Sequence, residues 1–226
     1  MNAIALLSGG LDSTVNLKRA LEESNVLLAL TFDYGQRAAE REVEAARAIA
    51  EALGVPHRVV ELPWLAQVTT TALVDREQAL PEPSEGELSS RGAETAEAVW
   101  VPNRNGVFVN IAAAYAESLS CEEIVVGFNA EEGATFPDNS REFFHAANAA
   151  LALSTLRRVR LQCYTLDMMK SELLAFGRRI DAPLGLIWPC YENGPEICWR
   201  CESCARLRRA LVETDSLEWF TSQRRT

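Results

Sequence analysis

The chain has 226 residues and a formal net charge of −10 at pH 7, which is enough length for one large domain or for one domain with a small appendage. The acidic charge argues against loose electrostatic binding of nucleic acid, because a phosphate backbone would on average be repelled. No segment approaches the length of a membrane span, and no cleavable signal opens the chain. We therefore expect a cytoplasmic protein with neither a membrane partner nor direct nucleic-acid binding.

A glycine-rich loop follows the apolar run at 3–7, which predicts a strand, and precedes a predicted helix. It reads Ser8-Gly9-Gly10-Leu11-Asp12-Ser13-Thr14. Its glycines permit positive φ and the close approach of a ligand. Asp12, Ser13 or Thr14 can cap the helix with a side-chain oxygen. The free N–H groups of the first helical turn then attract a phosphate or pyrophosphate. No Gly-Lys-Ser/Thr closes the loop, so it is not a Walker A motif. It resembles the pyrophosphate loop of the N-type ATP pyrophosphatases, which implies cleavage of ATP to AMP.

Strands and helices alternate along the rest of the chain. Apolar spacing predicts a helix at 15–21, a buried strand at 26–32, a helix at 38–53 closed by Gly54, and a strand near 58–62. Further on it predicts a helix from 101–105 to about 119, a strand at 123–128, a helix at 141–153, a strand at 159–164 and a helix to 180 capped by Asp167. This alternation predicts an α/β fold with a doubly wound parallel sheet, Rossmann-like, whose ligands lie at the carboxyl ends of the strands. Because the loop resembles that of the ATP pyrophosphatases, the expected fold is similar to that of the adenine nucleotide alpha hydrolases.

Residues 66–99 break this alternation with prolines and acidic residues, and we interpret them either as a mobile excursion that forms a lid or as a solvated loop. Four cysteines near the end, Cys190, Cys198, Cys201 and Cys204, can surround one tetrahedral ion. A four-sulfur set leaves no open coordination position, which favours structural zinc, although an iron–sulfur cluster uses the same ligands. We predict an α/β domain at 1–185 and a helical zinc-binding region at 186–226, with a helix from Glu202 to Glu213.

Six motifs occur in a single order along the chain. They are the glycine-rich loop, Asp33-Tyr34-Gly35-Gln36-Arg37, Val101-Pro102-Asn103-Arg104-Asn105, Phe136-Pro137-Asp138, Lys170-x-Glu172 and the four-cysteine tail. In this order they resemble QueC, the 7-cyano-7-deazaguanine synthase family, over nearly the whole chain. The resemblance implies an ATP-dependent ligase that adenylates 7-carboxy-7-deazaguanine and converts it with ammonia to the amide and then to the nitrile, releasing AMP and pyrophosphate. It also implies magnesium and a homodimer.

Several positions depart from the usual pattern of that family. The chain has Asn103 where Gly is usual, Ala38 where His is usual, and Glu132 where Asp is expected. Residues 134–140 read Ala-Thr-Phe-Pro-Asp-Asn-Ser in place of Ser-Gly-Tyr-Pro-Asp-Cys-Arg, so Asn139 and Ser140 replace a cysteine and an arginine. Loss of the arginine removes a charged group with five donors. The motifs that the resemblance assigns to ATP are intact, whereas those assigned to the deazaguanine are altered. The departures therefore concern the nitrile step more than the adenylation step.

Within this resemblance each candidate side chain has an expected role. The loop residues Ser8, Gly9, Gly10, Asp12, Ser13 and Thr14 bind pyrophosphate, and Arg104 and Lys170 neutralise charge on the phosphates. Asp33 meets the ribose or a metal-bound water, or simply forms a turn. The candidates for binding magnesium or for accepting a proton from the amine are Glu131, Glu132 and Asp138. Phe136 either stacks on the base or packs in the core.

Three functions remain open from the sequence. The first is the synthase. The second is a QueC-like conjugase, as in bacterial antiviral operons, that joins the activated base to an amine of a protein acceptor. The third is a non-catalytic module that holds an adenine nucleotide as a signal.

Overall fold

The computed structural model describes residues 1–90 and 92–224, which form a parallel sheet covered by helices. The strands are β1 Asn2–Leu6, β2 Asn25–Asp33, β3 His57–Glu61, β4 Glu123–Val125 and β5 Arg160–Gln162. All four pairings are parallel, and the order across the sheet is β3-β2-β1-β4-β5. Because the order runs outward from β1 in both directions, the sheet is doubly wound, as predicted.

Helices connect these strands and extend the chain beyond β5. In the described ranges they are α1 Leu11–Ala20, α2 Ala39–Ala52, α3 Pro63–Gln67, α4 Glu85–Ser90, α5 Gly92–Val99, α6 Arg104–Ser118, α7 Ala130–Gly133, α8 Arg141–Ser154, α9 Lys170–Arg179, α10 Glu202–Glu213 and α11 Leu217–Gln223. None of them is both long and apolar enough to cross a bilayer.

The helices bury both faces of the sheet. Along β1, Ala3 and Ala5 face the layer formed by α1, α2, α9, α10 and α11, whereas Ile4 faces the layer that contains α6 and α8; all three residues are fully buried. Successive side chains of a strand point to opposite faces. A strand covered on both faces must therefore be apolar throughout, which is why the central strands appear in the sequence as continuous apolar runs.

The C-terminal region packs directly onto the α1 face of the sheet. Trp188, Leu207 and Phe220 belong to the same buried cluster as Leu17 of α1 and Leu173 of α9. Of the predicted region 186–226, residues 225 and 226 lie outside the described part of the chain. The described part shares its core with the α/β layer.

The segment 66–99 contains the helices α4 and α5, which the sequence reasoning did not predict; residue 91 lies outside the described ranges. Arg37 fastens this segment to the end of β2, since its N–H donates to the Leu73 carbonyl (2.8 Å) and its Nη2 to the Asp75 carbonyl (2.7 Å). At the far side the Glu202 N–H donates to the Pro81 carbonyl (3.1 Å). The segment is thus joined to both the sheet and α10, and its mobility remains a prediction.

The predicted start of α1 is wrong. The helix begins at Leu11 with Gly10 as its N-cap, and no side chain caps it. Asp12, Ser13 and Thr14 therefore lie within its first turn. The reason is that Gly10 already has the extended ψ of an N-cap.

The predicted cap of α9 is also wrong. The helix begins at Lys170 with Met169 as its N-cap, and the Met169 N–H donates to the Glu172 carboxylate (2.8 Å). Asp167 lies outside the helix, where its carboxylate pairs with Arg141 at the surface. The N-terminus of α9 is thus stabilised by the Glu172 side chain, which accepts from the N-cap N–H. Asp167 does not take the capping role that was expected of it.

Candidate functional site

The glycine-rich loop joins β1 to α1 at the carboxyl edge of the sheet. Gly9 has φ = +79°, a conformation that favours glycine. A Cβ at this residue would lie 2.7 Å from the carbonyl oxygen of Glu42, so helix α2 leaves no room for a side chain. The hydroxyl groups brace the loop: Ser8 N–H donates to Ser13 Oγ (3.2 Å), and the Ser8 and Ser13 hydroxyls are 3.0 Å apart.

The first turn of α1 presents unpaired backbone donors to this edge. The N–H groups of Leu11, Asp12 and Ser13 have no acceptor within the helix. The segment that follows β4 passes against them, because a Cβ at Gly127 would lie 2.6 Å from the Ser13 nitrogen. Two backbones therefore approach closely at the N-terminus of a ten-residue helix, which is a favourable place for an anion.

A cavity of about 230 Å³ opens at this position, between the carboxyl ends of β1 and β4. It lies where the strand order changes direction, the usual ligand site of a doubly wound sheet. Its polar lining residues are Ser8, Asp12, Ser13, Tyr34, Glu42, Arg104, Asn105, Glu132, Asn139, Lys170, Tyr191 and Ser203. Its apolar wall includes Leu6, Leu30, Phe32, Phe108, Val126 and Phe128.

A lysine and two carboxylates form the charged centre of the cavity. Lys170 Nζ donates to Asp12 Oδ2 (2.7 Å) and to Glu132 Oε1 (2.6 Å), and the lysine is 6% exposed. Burial opposes the charge of Lys170, but the two carboxylates outweigh it and raise the pKa of the ammonium. Burial raises the pKa of Asp12. Burial is also the largest influence on Glu132, but the charge and hydrogen bond of Lys170, together with Arg206 and Asn129, outweigh it, and the pKa of Glu132 lies below its usual value. The ammonium therefore stays charged, and Glu132 is the more firmly ionised of the two acids.

Asn129 is fully buried in the segment after β4, where it supports the Asp12 carboxylate and the backbone of Glu132. Its Nδ2 donates to Asp12 Oδ1 (2.7 Å), and its Oδ1 accepts from the Glu132 N–H (2.9 Å), which makes it the side-chain cap of α7. The sequence reasoning did not assign this residue a role. Its position directly after the predicted strand 123–128, which in the structure ends at Val125, and shortly before two acidic residues was the available signal.

Arg104 lines the opposite side of the cavity. Its Nη1 donates to the Tyr34 hydroxyl (2.9 Å), and its guanidinium lies over the Tyr34 ring. Burial raises the pKa of Tyr34, so the hydroxyl stays protonated. Nearby negative and polar groups outweigh burial and raise the pKa of Arg104. The cavity therefore has a fixed positive charge on each side, at Arg104 and at Lys170.

Glu42 is a cavity residue that the sequence reasoning missed. It lies on α2, its Oε2 accepts from Gln36 Nε2 (2.8 Å), and burial raises the pKa of its carboxyl. Its sequence context is a helix with many charged residues, so no local signal distinguishes it from the exposed Glu44 of the same helix.

Two of the predicted acidic site residues bond to backbone instead of lining the cavity. Asp33 Oδ1 accepts from the Gly35 N–H (3.0 Å), which is the turn-forming alternative. Asp138 Oδ2 accepts from the Asn105 N–H (2.9 Å) in the first turn of α6. Neither carboxylate contacts Lys170, and the assignment of both to ATP or magnesium remains a prediction.

Gly9 and Thr14 of the loop also lie behind the cavity wall. Thr14 Oγ1 donates to the Gly10 carbonyl (2.6 Å), and the Gly9 carbonyl accepts from the Trp188 N–H (2.8 Å). They hold the loop in shape, whereas Ser8, Asp12 and Ser13 face the cavity.

The departures from the family pattern have separate structural explanations. Asn103 has φ = +52°, a left-handed conformation that asparagine tolerates better than most residues other than glycine. Ser140 caps α8, accepting from the Phe143 N–H (3.0 Å). Asn139 alone among the altered residues of 134–140 lines the cavity. Phe136 instead stacks on Trp100, with the ring centres 6.3 Å apart.

The four predicted metal ligands come together. The Sγ atoms of Cys190, Cys198, Cys201 and Cys204 all lie within 4.8 Å of one another. A tetrahedral zinc site with Zn–S bonds near 2.3 Å requires S–S distances of about 3.8 Å, and the Sγ atoms of Cys198 and Cys204 are 3.9 Å apart.

Backbone donors surround these sulfur atoms. The N–H groups of Glu192 and Cys198 point at Cys190 Sγ (both 3.4 Å), and those of Arg200 and Cys201 point at Cys198 Sγ (3.4 and 3.2 Å). Such donors stabilise thiolates. The donor set and its surroundings therefore fit a closed, four-sulfur metal site at the edge of the cavity.

Comparison with known proteins agrees with this geometry. The family model described as "Queuosine biosynthesis protein QueC" matches residues 2–215. A 7-cyano-7-deazaguanine synthase of Desulforamulus reducens is 54% identical over 212 residues, covering 93% of each chain. Another, of Bdellovibrio bacteriovorus, is 49% identical over 215 residues, covering 94% of this chain and 93% of that one.

Solved structures support the fold. The NMN synthetase of Francisella tularensis matches with a TM-score of 0.50 at 16% identity, covering 98% of this chain and 82% of that one. Identity at this level establishes the fold alone. The match to the family model covers the sheet, the cavity and all four cysteines, and this chain belongs to the QueC family.

Proposed function

We propose that this chain is an ATP-dependent 7-cyano-7-deazaguanine synthase. In this proposal it adenylates the carboxylate of 7-carboxy-7-deazaguanine, forms the amide with ammonia, and dehydrates the amide to the nitrile with a second ATP. The curated relatives that carry this name span nearly the whole chain at about half identity, so they support the overall conversion. The adenylation step is inferred from the site, and the ammonia step from the resemblance to the family.

The observation that carries the proposal is the position of Lys170 between Asp12 and Glu132 at the N-terminus of α1. A carboxylate oxygen that attacks the α-phosphorus of ATP forms an acyl adenylate and expels pyrophosphate. The negative charge of that leaving group develops beside the first-turn N–H groups, with Lys170 on one side and Arg104 on the other. Fixed positive groups aimed at developing charge lower the barrier.

Magnesium fits the same centre. Asp12 and Glu132 offer the hard oxygen donors that this ion prefers, and both already converge on one positive charge. They would hold the ion together with phosphate oxygens, and its charge would neutralise the phosphates. Because the pKa of Glu132 is lowered, we assign this residue to charge balance in preference to proton abstraction.

We also propose that the four cysteines hold one structural zinc ion. Because four thiolates buried together need a cation, metal loss should unfold the region, which shares its core with α1 and α9. Elemental analysis of folded protein after dialysis against a chelator tests this. One zinc per chain is expected, and a stable metal-free form would contradict the structural role.

The decisive assay combines the enzyme with 7-carboxy-7-deazaguanine, ATP, magnesium and ammonium, and follows the products by mass spectrometry. The nitrile with AMP and pyrophosphate is the expected result. Accumulation of the amide, or a base-sized mass increment on a protein, would favour the conjugase. Nucleotide binding without pyrophosphate release would favour the signalling module. The homodimer and a protein acceptor remain predictions.

A matched pair of lysine variants tests the site. Lys170→Met removes the central charge, and Lys18→Met makes the same change at the chain's other lysine, in the last turn of α1. We expect Lys170→Met to slow pyrophosphate release by about a hundredfold or more and Lys18→Met to leave it unchanged. Equal rates in the two variants would remove Lys170 from the mechanism. Circular dichroism of both variants verifies that they fold.

A further inference from the structure

The short helix α7 carries two adjacent glutamates that face different parts of the molecule. Neighbouring residues on a helix point about 100° apart. Glu132 points into the cavity and pairs with Lys170, whereas Glu131 points toward α10. A helix of four residues has little stability of its own. Its orientation, and with it that of Glu132, must therefore come from its attachments.

Glu131 attaches α7 to α10 through two arginines. Its Oε1 accepts from Arg206 Nη1 (2.8 Å) and from Arg209 Nη2 (2.5 Å). Arg206 also donates to Glu202 Oε1 from Nη2 (2.7 Å) and from Nε (3.2 Å). We call Glu131, Glu202, Arg206 and Arg209 the α7–α10 ion-pair network.

Three of the four side chains in this network are buried, Arg209 is 23% exposed, and the charges of the network balance. The side chains of Arg206, Glu131 and Glu202 are 5%, 9% and 1% exposed, so solvent screens them little. Two guanidiniums face two carboxylates, and charge-assisted hydrogen bonds of this kind fix geometry closely. The network is far more constrained than the exposed pair of Arg209 with Glu213 (3.8 Å).

The network begins next to the four-cysteine site. Cys201 is the N-cap of α10, and Cys204 lies in the first turn of that helix. Arg206 follows two residues later, and Arg209 lies one turn further along. The four-cysteine site therefore fixes the N-terminal end of α10 and, through that helix, the positions of both guanidiniums. The guanidiniums in turn hold Glu131 by hydrogen bonds.

We propose that Arg206 and Arg209 are positioning residues, which act through Glu131 to hold Glu132 against Lys170. The four-cysteine region would then contribute to the reaction by geometry, through α10 and α7. This inference rests on the proposed function for its kinetic consequences, but the contact it predicts between Glu132 and Lys170 can be tested without turnover.

The test variant is Glu131→Gln, which keeps an oxygen acceptor but removes the charge that holds both arginines. Glu213→Gln is the matched control, because it removes the other carboxylate partner of Arg209 without touching α7. We expect Glu131→Gln to lower kcat for pyrophosphate release by about tenfold with KM for ATP nearly unchanged. Glu213→Gln should behave like the wild type.

A double-mutant cycle separates positioning from simple loss of stability. If Glu131 acts through Glu132, adding Glu131→Gln to Glu132→Gln should change kcat by no more than about twofold. A full further loss in the double variant would overturn the proposal.

Lysine acetylation gives a readout that is independent of activity. The rate at Lys170, measured by peptide mass spectrometry relative to Lys18, should rise severalfold in Glu131→Gln as Glu132 moves away. An unchanged ratio would overturn the proposal. If the wild type releases no pyrophosphate, the proposed function fails, and the acetylation ratio still decides whether the network positions Glu132.

Discussion

Replacing Gly9 by alanine tests how the glycine-rich loop is held against helix α2. Gly9 has φ = +79°, and an added Cβ would lie 2.7 Å from the Glu42 carbonyl oxygen, 3.1 Å from Ala45 Cβ and 3.2 Å from the Ala46 nitrogen. The distance to the Glu42 oxygen is shorter than the contacts that Cβ atoms make in proteins, and this oxygen belongs to the backbone, which cannot rotate away as a side chain can. Either the loop or the helix must therefore move.

Backbone strain and overpacking both lower the free energy of unfolding of Gly9→Ala. The left-handed conformation costs an L-residue about 1–2 kcal/mol, and overpacking costs about 1–3 kcal/mol. The free energy of unfolding should therefore fall by about 2–5 kcal/mol for Gly9→Ala. Gly54 isolates the first cost, because it has φ = +69° and no atom within 4 Å of an added Cβ. Gly54→Ala should lose only about 1–2 kcal/mol.

Urea unfolding of both variants measures this difference, and a pyrophosphate-release assay measures its consequence at the site. Because the Gly9 carbonyl accepts from the Trp188 N–H and the loop leads into α1, Gly9→Ala should also slow pyrophosphate release. Gly54→Ala should retain the wild-type rate. If the two variants unfold at the same urea concentration, the contact with α2 does not constrain the loop and the reasoning is refuted.

Three further predictions concern the cavity and its supports. Gly127→Ala places a methyl group 2.6 Å from the Ser13 nitrogen, so pyrophosphate release should be lost, and retention of full turnover would contradict the anion site. Burial raises the pKa of Glu42, so the folded state binds its proton more tightly and this residue costs stability as pH rises above the ordinary value of 4.5. Glu42→Gln should therefore unfold at higher urea than the wild type at pH 7.5 and lose that advantage well below pH 4.5; an advantage that persists at low pH would contradict this reasoning. Asp138→Ala should lower the free energy of unfolding by about 1 kcal/mol through loss of its bond to α6, and Asp138→Asn, which keeps an acceptor, should lose less; equal losses would argue against the capping role.

Local sequence patterns predicted much of the architecture. The apolar runs predicted β1 and β2, and the helix from Glu202 to Glu213 was predicted at both ends. Gly54 ends α2 with positive φ, as expected of a helix C-terminus. These features depend on side-chain periodicity and on the conformational range of single residues, which the sequence contains directly.

Helix caps and short helices were harder to predict. Asp167 was a reasonable cap, but Glu172 satisfies the Met169 N–H instead. The helices α4 and α5 lie in a segment with a loop-like composition, and this segment is joined to Arg37 and to α10 by hydrogen bonds that no local window contains.

The residue types and their spacing indicate which side chains can carry the chemistry, and they made the loop, the cysteine set and Lys170 candidates. The partners of these residues depend on the tertiary fold. Lys170 is 158 residues from Asp12 along the chain, yet their charged atoms are 2.7 Å apart. Asp138, an equally good candidate by composition, bonds to the backbone of α6 instead. A carboxylate's role depends on which charge lies within a few ångströms and on how much water is excluded, since Coulomb energy and desolvation both act through space.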